Sequence, residues 1–199
     1  TIVSAETDYF FSRTALMYVY MGHMKFEHTQ PYENWFWEKN RIELKKGFVE
    51  SISYSSKTLS LSGGDHITYD KLILAVGSKP NKFGWPGQNL KGVQGLYSKQ
   101  DLDLMEENTS EHKVERAVIV GGGLIGVEMA EMLHSRNISV SFFVREDKFW
   151  GNVLPLKEAD IIERHLESRG IDLRFTTELK EIISDESGRV KAVVSSNGE

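Results

Sequence analysis

Cysteine is absent from the chain, and that absence excludes a redox-active disulfide, a cysteine sulfenate and every thiolate metal site. Any redox chemistry must therefore be carried by a bound cofactor. Histidine supplies no metal site either. His23, His28, His66, His112, His134 and His165 are scattered, no two stand at ligand spacing on a helix, and all six read as ordinary surface or core residues. No apolar run approaches the roughly 18 residues that span a bilayer. The opening TIVSAETDYF lacks the basic and apolar regions of a signal peptide, so a cytoplasmic address is the default expectation. Positive charge is in deficit as well: 24 Lys and Arg against 29 Asp and Glu give a formal net charge of −5. That argues against a nucleic-acid partner held by a basic surface. What is there is ordinary for a globular protein, with 40% hydrophobic and 27% charged residues. A chain of 199 residues can bury one sizeable core or two small ones.

The most informative stretch is Arg116–Leu133, RAVIVGGGLIGVEMAEML. A short apolar run, Ala117–Val120, leads into Gly121, Gly123 and Gly126, and a helical pattern follows with Gly126, Met129, Ala130 and Leu133 on one face. Strand, glycine turn and helix form the context in which G-x-G-x-x-G means dinucleotide binding. Gly121 permits the tight turn, Gly123 lets the backbone approach a pyrophosphate, and Gly126 lets the helix pack close to the strand. Free N–H groups and the positive dipole end of the helix then face the phosphates. A tight strand-to-helix turn with no ligand is the alternative.

Upstream, Ile2–Ala5 reads as a strand ending at Glu6. An acid at the end of a second Rossmann strand commonly holds a ribose hydroxyl pair, about 20 residues after a glycine loop. With no such loop before it, Glu6 is either a turn residue or the sign of a fragment. Helical pieces are predicted at Ala15–Met21, closed by Gly22, and around Tyr32–Lys39, followed by apolar alternation at Ile42–Leu44 and Phe48–Ile52. Thr58–Leu61 and His66–Thr68 flank SGGD as a hairpin. Leu72–Val76 reads as a buried strand, Asn81–Gly95 as a loop, and the polar Glu106–Glu115 as a domain boundary. From Arg116 the pattern is βαβ: strand 117–120, helix 124–136, strand 140–144, a helix carrying Leu156 to Leu166 that stops at Gly170, and strand 171–175. Leu179–Ser184 and Arg189–Ser195 then alternate around DESG as a β-meander hairpin.

With FSRTAL at Phe11–Leu16, AVGSKP at Ala75–Pro80 and GGGLIGVE at Gly121–Glu128, the chain resembles the FAD-dependent pyridine nucleotide-disulphide oxidoreductase superfamily. Within it, the nearest likeness is to the non-disulfide branch of NADH oxidases, rubredoxin or ferredoxin reductases and nitrite reductase flavin modules. The resemblance implies an α/β fold of two Rossmann-like, glutathione reductase-like nucleotide-binding domains. On that template residues 1–111 are a partial FAD-binding domain lacking its N-terminal phosphate loop. Residues 112–199 are an NAD(P)H-binding domain with a β-meander, lacking its closing strand.

Carried over by resemblance, Glu6 is the acid on the FAD adenosine ribose, and Arg13 is the arginine near the flavin, with Phe11 in place of a tyrosine. Val49 lies where backbone groups meet the adenine. Ala75, Val76 and Gly77 replace an Ala-Thr-Gly segment that passes close to FAD; the bland alternative is a strand end with a turn. Gly121, Gly122, Gly123, Leu124, Ile125 and Gly126 form the phosphate turn of the NAD(P)H site. Glu128 matches a glutamate facing the nicotinamide–flavin junction, its other reading being an acid stabilised by the helix dipole. Val144 and Arg145 stand where the second strand ends. An NAD-specific site wants an acid there, whereas Arg145 and Lys148 could pair a 2′-phosphate, which gives a slight lean to NADPH. Glu146 could bend back to serve NAD, and solvated charge after a strand is also common.

The expected activity is hydride transfer from NAD(P)H to FAD, with electrons passed to an electron-carrier protein, a quinone or oxygen. No side chain is nominated as catalytic acid or base, since the protein's part is positioning and tuning. A disulfide or thiol-peroxide route through the flavin-facing turn is excluded, because Arg13 stands where a cysteine would be needed. An NAD(P)H-binding redox-sensing or scaffold module without turnover is the alternative. The isolated chain is expected to be inactive, to bind no flavin and to self-associate, and a homodimer is a further candidate. The aromatic residues crowded into the first 40 positions read as core and inter-subunit packing before a flavin cover.

Overall fold

The computed structural model describes residues 1–110 and 114–199. Strand β1 (Ile2–Ser4) lies parallel to β2 (Leu44–Lys46), with Ile2 opposite Leu44. Between them the chain makes a 3-10 turn (Arg13–Ala15), helix α1 (Leu16–Tyr20), a second 3-10 turn (Phe26–Thr29) and helix α2 (Trp35–Lys39). Gly22, at φ +78°, stops the first helical piece where a left-handed residue is required. Strands β3 (Val49–Ser53), β4 (Thr58–Leu61) and β5 (His66–Thr68) form an antiparallel meander, β4 burying Leu59 and Leu61 and turning through Gly63 and Gly64 at positive φ.

Two expectations are corrected here. Leu72–Val76 is not a buried strand: Ile73 is 89%, Leu74 59% and Val76 88% exposed, and no described strand pairs with the run. An apolar stretch becomes a strand only where a neighbouring ladder takes up its N–H and C=O groups. The polar segment beginning at Glu106 is not a linker at its start, because helix α3 runs over Lys99–Thr109. A reciprocal capping box starts that helix, with Asp101 N–H donating to Ser98 Oγ at 3.0 Å and Ser98 N–H to Asp101 Oδ2 at 2.8 Å. Leu102 and Met105, three apart, bury its inner face, so its remaining positions can be polar. The division read at 111/112, and His112 with it, lies outside the described residues.

The second half is a βαβαβ unit: β6 (Arg116–Val120), α4 (Leu124–His134), β7 (Ser139–Phe143), α5 (Leu156–Ser168) and β8 (Asp172–Arg174), with parallel strands ordered β6-β7-β8. Hairpin β9 (Leu179–Ser184) and β10 (Val190–Ser195) follows. Loop Asn81–Gly95 is docked on that hairpin, Ile182 N–H donating to Pro86 C=O at 2.9 Å and Lys91 N–H to Gly188 C=O at 3.1 Å. One core joins Leu16 and Tyr20 of α1 and Leu102 and Met105 of α3 to Ile119, Ala130, Leu133 and Phe142 of the βαβ unit. Helix α4 is therefore clamped between the sheet and the upstream helices.

Candidate functional site

The turn between β6 and α4 has the geometry that its glycines suggest. Gly121 sits at φ +107°, outside what a side chain tolerates, and its N–H donates to Phe143 C=O at 2.9 Å. A Cβ on Gly126 would lie 2.8 Å from Gly121 C=O and 2.9 Å from the Phe142 ring, so only glycine lets α4 approach this closely. A Cβ on Gly122 would lie 3.2 Å from Val144 and 3.5 Å from Phe149. Gly123, the N-cap, has open space within 4 Å on its outer side. No side chain caps α4, and Leu124 and Ile125 are 56% and 55% exposed. The first N–H groups of the helix have no intrahelical acceptor and stand at its positive dipole end, an arrangement that can take an anion.

Where β7 ends, Val144 is fully buried, its N–H bonded to Arg174 C=O at 2.9 Å and its C=O to Thr177 N–H at 3.0 Å. It forms the floor under Gly122 and has no polar group free for a ligand. Arg145 follows with its side chain 72% exposed and pairs with Glu146 at 3.0 Å. A hydrogen bond from its own backbone N–H, and then Arg145, hold the Glu146 carboxyl below its ordinary range. Lys148 donates to Asp160 at 2.6 Å and Glu163 at 3.3 Å on α5, so this second cation of the expected 2′-phosphate pair is already engaged. Glu128 is half-buried on α4, and its carboxylate has no hydrogen-bond partner among the described residues. Behind the first turn of α4 lies an apolar hollow of about 360 Å³, lined by Leu124, Val127, Phe149, Trp150, Ile161 and Ile162 among others.

Of the residues expected at the flavin, Glu6, Arg13 and Ala75–Gly77 form a second cluster. Both Glu6 oxygens are engaged: Arg13 donates to Oε1 at 2.9 Å and to Oε2 at 2.7 Å, and Lys99 N–H donates to Oε1 at 2.8 Å. Arg13 holds the Glu6 carboxyl below its ordinary range and is itself raised by it. The guanidinium lies 4.3 Å over the Tyr97 ring, a cation–π contact, and also donates to Tyr97 C=O. Tyr97 Oη accepts Ser78 N–H at 3.1 Å and closes on Gly77, which sits at φ +67°. Tyr97 thus ties Arg13 and Glu6 to the exposed Ala75–Gly77 segment. Val49 opens β3 opposite Leu61. Among the described residues no side-chain hydrogen bond links Val49 or Glu128 to either cluster. Tyr97, Phe149 and Glu163 were not anticipated; the Ser98–Asp101 capping box beside Tyr97 was the one local signal available. No group of His, Asp or Glu among the described residues could hold a metal ion, and no described helix is long and apolar enough to cross a membrane.

Residues 1–199 match the family model described as pyridine nucleotide-disulphide oxidoreductase. An NADH oxidase of Lactococcus lactis subsp. cremoris is 33% identical over 151 residues, 74% of this chain and 34% of that protein. The ferredoxin reductase subunit of 5,5'-dehydrodivanillate O-demethylase from Sphingobium sp. is 28% identical over 199 residues, 99% of this chain and 48% of that protein. Among solved structures, a ferredoxin reductase for the CYP199A2 system from Rhodopseudomonas palustris superposes with a TM-score of 0.89 at 21% identity, over 99% of this chain and 48% of that one. A NAD-dependent persulfide reductase from A. fulgidus gives 0.88 at 26% identity, over 99% of this chain and 37% of that one. The chain spans 34% and 48% of the lengths of the two curated relatives just named. The fold is that of these enzymes, α/β with Rossmann-like nucleotide-binding units.

Proposed function

Since the chain belongs to the pyridine nucleotide-disulphide oxidoreductase family, we propose that it serves a flavoprotein oxidoreductase in which NAD(P)H reduces FAD. One observation carries this reading: an uncapped helix N-terminus behind a glycine turn whose outer side is open at Gly123. The donor set fits a diphosphate, with backbone N–H groups at 124–126 and no carboxylate bonded at the turn. Bound together, the two cofactors supply the hydride donor and acceptor. The chain's own residues position them: the turn fixes the diphosphate, Val144 and Phe149 fix the turn, and Glu128 projects from the second turn of α4. The flavin is assigned to the Glu6, Arg13, Val49 and Ala75–Gly77 side, corresponding to residues 1–111, with the coenzyme on residues 112–199. Each carboxylate oxygen has two acceptor directions, so Glu6 Oε2, with one bond from Arg13, has room for a ribose hydroxyl.

For the coenzyme, the proposed lean is to NADPH and rests on Arg145 alone, because Lys148 is held by α5. Relatives named ferredoxin reductase and rubredoxin-NAD(+) reductase support a small electron-carrier protein as acceptor, and those named NADH oxidase support oxygen. Exposed Phe10, Tyr18, Tyr32 and Trp35 support self-association, including a homodimer. Stopped-flow reduction of the flavin-loaded whole protein by NADH and by NADPH tests enzyme class and coenzyme together. Bleaching of the flavin band by either coenzyme is expected. Inertness toward both favours the alternative, a nucleotide-binding module without turnover, for which the engagement of Glu6 by Arg13 and Lys99 speaks.

A further inference from the structure

We propose that Glu163 is a positioning residue for the nicotinamide coenzyme, acting through Phe149 on the glycine turn; this rests on the coenzyme reading above. Glu163 faces inward from α5 with its side chain only 12% exposed. Its Oε1 accepts Phe149 N–H at 2.8 Å, and its Oε2 accepts Lys148 Nζ at 3.3 Å. Asp160, one turn earlier on the same face, takes the same lysine at 2.6 Å. The segment that follows β7 is thereby stapled to α5.

Phe149 carries the effect of that staple to the coenzyme site. Its side chain is fully buried and meets Phe142 edge-on, with ring centroids 5.8 Å apart. One edge of Phe149 lies under Gly122, and the Phe142 ring is the surface on which Gly126 rests. Two phenylalanines are thus the floor of the turn, and Glu163 holds one of them at its backbone. The next residue, Trp150, stands at φ +56°. A tryptophan avoids that region unless its surroundings impose it, so the loop does not hold Phe149 in place by its own preference.

Without the carboxylate at Glu163, Phe149 can withdraw and the turn loses its support from below. The N–H groups at 124–126 then lose their aim at the diphosphate. Glu163 touches no coenzyme atom, so its loss weakens binding and leaves the rate at saturation unchanged. Displacements of an ångström can cost a hundredfold in a positioned site, and a partial one here is expected to raise KM about tenfold.

The test uses the flavin-loaded whole protein with NADH and NADPH, reading KM, kcat, flavin content and Tm. Glu163→Ala is expected to raise KM for both coenzymes with kcat and flavin content unchanged. Glu163→Gln, which keeps an acceptor oxygen for Phe149 N–H, is expected to restore most of the affinity; Glu158→Gln, on the exposed side of α5, serves as the control. If Glu163→Ala does not fold, Phe149→Leu tests the same lever with the carboxylate in place, and an unchanged KM overturns the proposal. So does an unchanged KM in Glu163→Ala, or a fall of kcat together with flavin loss that Gln does not reverse. Inertness of the unsubstituted protein toward both coenzymes overturns the coenzyme reading and this inference with it. Turnover of the unsubstituted protein with no effect of either substitution overturns this inference alone.

Discussion

Replacing Gly126 by alanine sets two effects against each other. Alanine favours a helix interior by about 1 kcal/mol over glycine. The new Cβ would lie 2.8 Å from Gly121 C=O and 2.9 Å from the Phe142 ring, short of the 3.4 Å at which ordinary contact begins, so a neighbour must move by several tenths of an ångström. Neither neighbour is a flexible side-chain end, and overpacking of this kind costs about 1–3 kcal/mol. The net is a loss of about 0–2 kcal/mol, and a domain of this size loses about 2–4 °C in Tm per kcal/mol. Helix α4 rides up from the sheet by a similar distance, and KM for the coenzyme rises about tenfold or more. Gly123→Ala is the matched comparison. It meets nothing within 4 Å and loses only the cap preference, about 0.5 kcal/mol, yet it projects a methyl group into the space assigned to the diphosphate. Thermal unfolding and steady-state kinetics on the two variants separate the roles: Gly126→Ala lowers Tm and affinity together, Gly123→Ala lowers affinity almost alone. An unchanged affinity in either variant refutes the assignment of those two glycines.

Three further outcomes follow from the same structure. Arg145→Ala removes the exposed guanidinium proposed for a 2′-phosphate and is expected to raise KM for NADPH about tenfold, the worth of a charge-assisted hydrogen bond, while KM for NADH stays within twofold. The folded-state carboxyl of Glu6 is lowered by Arg13, so the stability it contributes is complete above its ordinary value of 4.5 and is lost as pH falls from there through the lowered value. Glu6→Gln is accordingly expected to flatten the decline of Tm between pH 5 and 3, seen by circular dichroism. Ser98→Ala breaks the capping box of α3 and is expected to cost about 1 kcal/mol, a drop in Tm of about 2–4 °C.

The βαβ half was legible because its signals are local. Apolar runs end at Gly121 and near Val144, and Gly170, at φ +77°, marks where α5 must stop. The hairpin at Thr58–Thr68 was legible for the same reason, through Gly63 and Gly64. Helix α3 was hidden because only Leu102 and Met105 are buried in an otherwise polar segment, although Ser98 and Asp101 had the capping spacing. The run at Leu72–Val76 misled because apolar content shows what a segment can bury, not whether a partner strand lies beside it. Glu6 was visible as an acid after a strand, but its engagement by Arg13 depends on the turn through Phe11–Ala15 that carries the guanidinium back. The floor of the proposed coenzyme site was invisible altogether. Phe149 and Glu163 are 14 residues apart in the chain and meet only because α5 packs back on the end of β7.

The most direct measurement is a crystal structure of the whole protein soaked with NADH or NADPH. A diphosphate oxygen is expected within hydrogen-bond distance, about 2.7–3.2 Å, of the backbone N–H groups of Leu124 or Ile125, with Gly123 beneath it. A coenzyme whose diphosphate lies elsewhere, or a turn closed over by Leu124 and Ile125 with the soaked nucleotide excluded, would contradict the account.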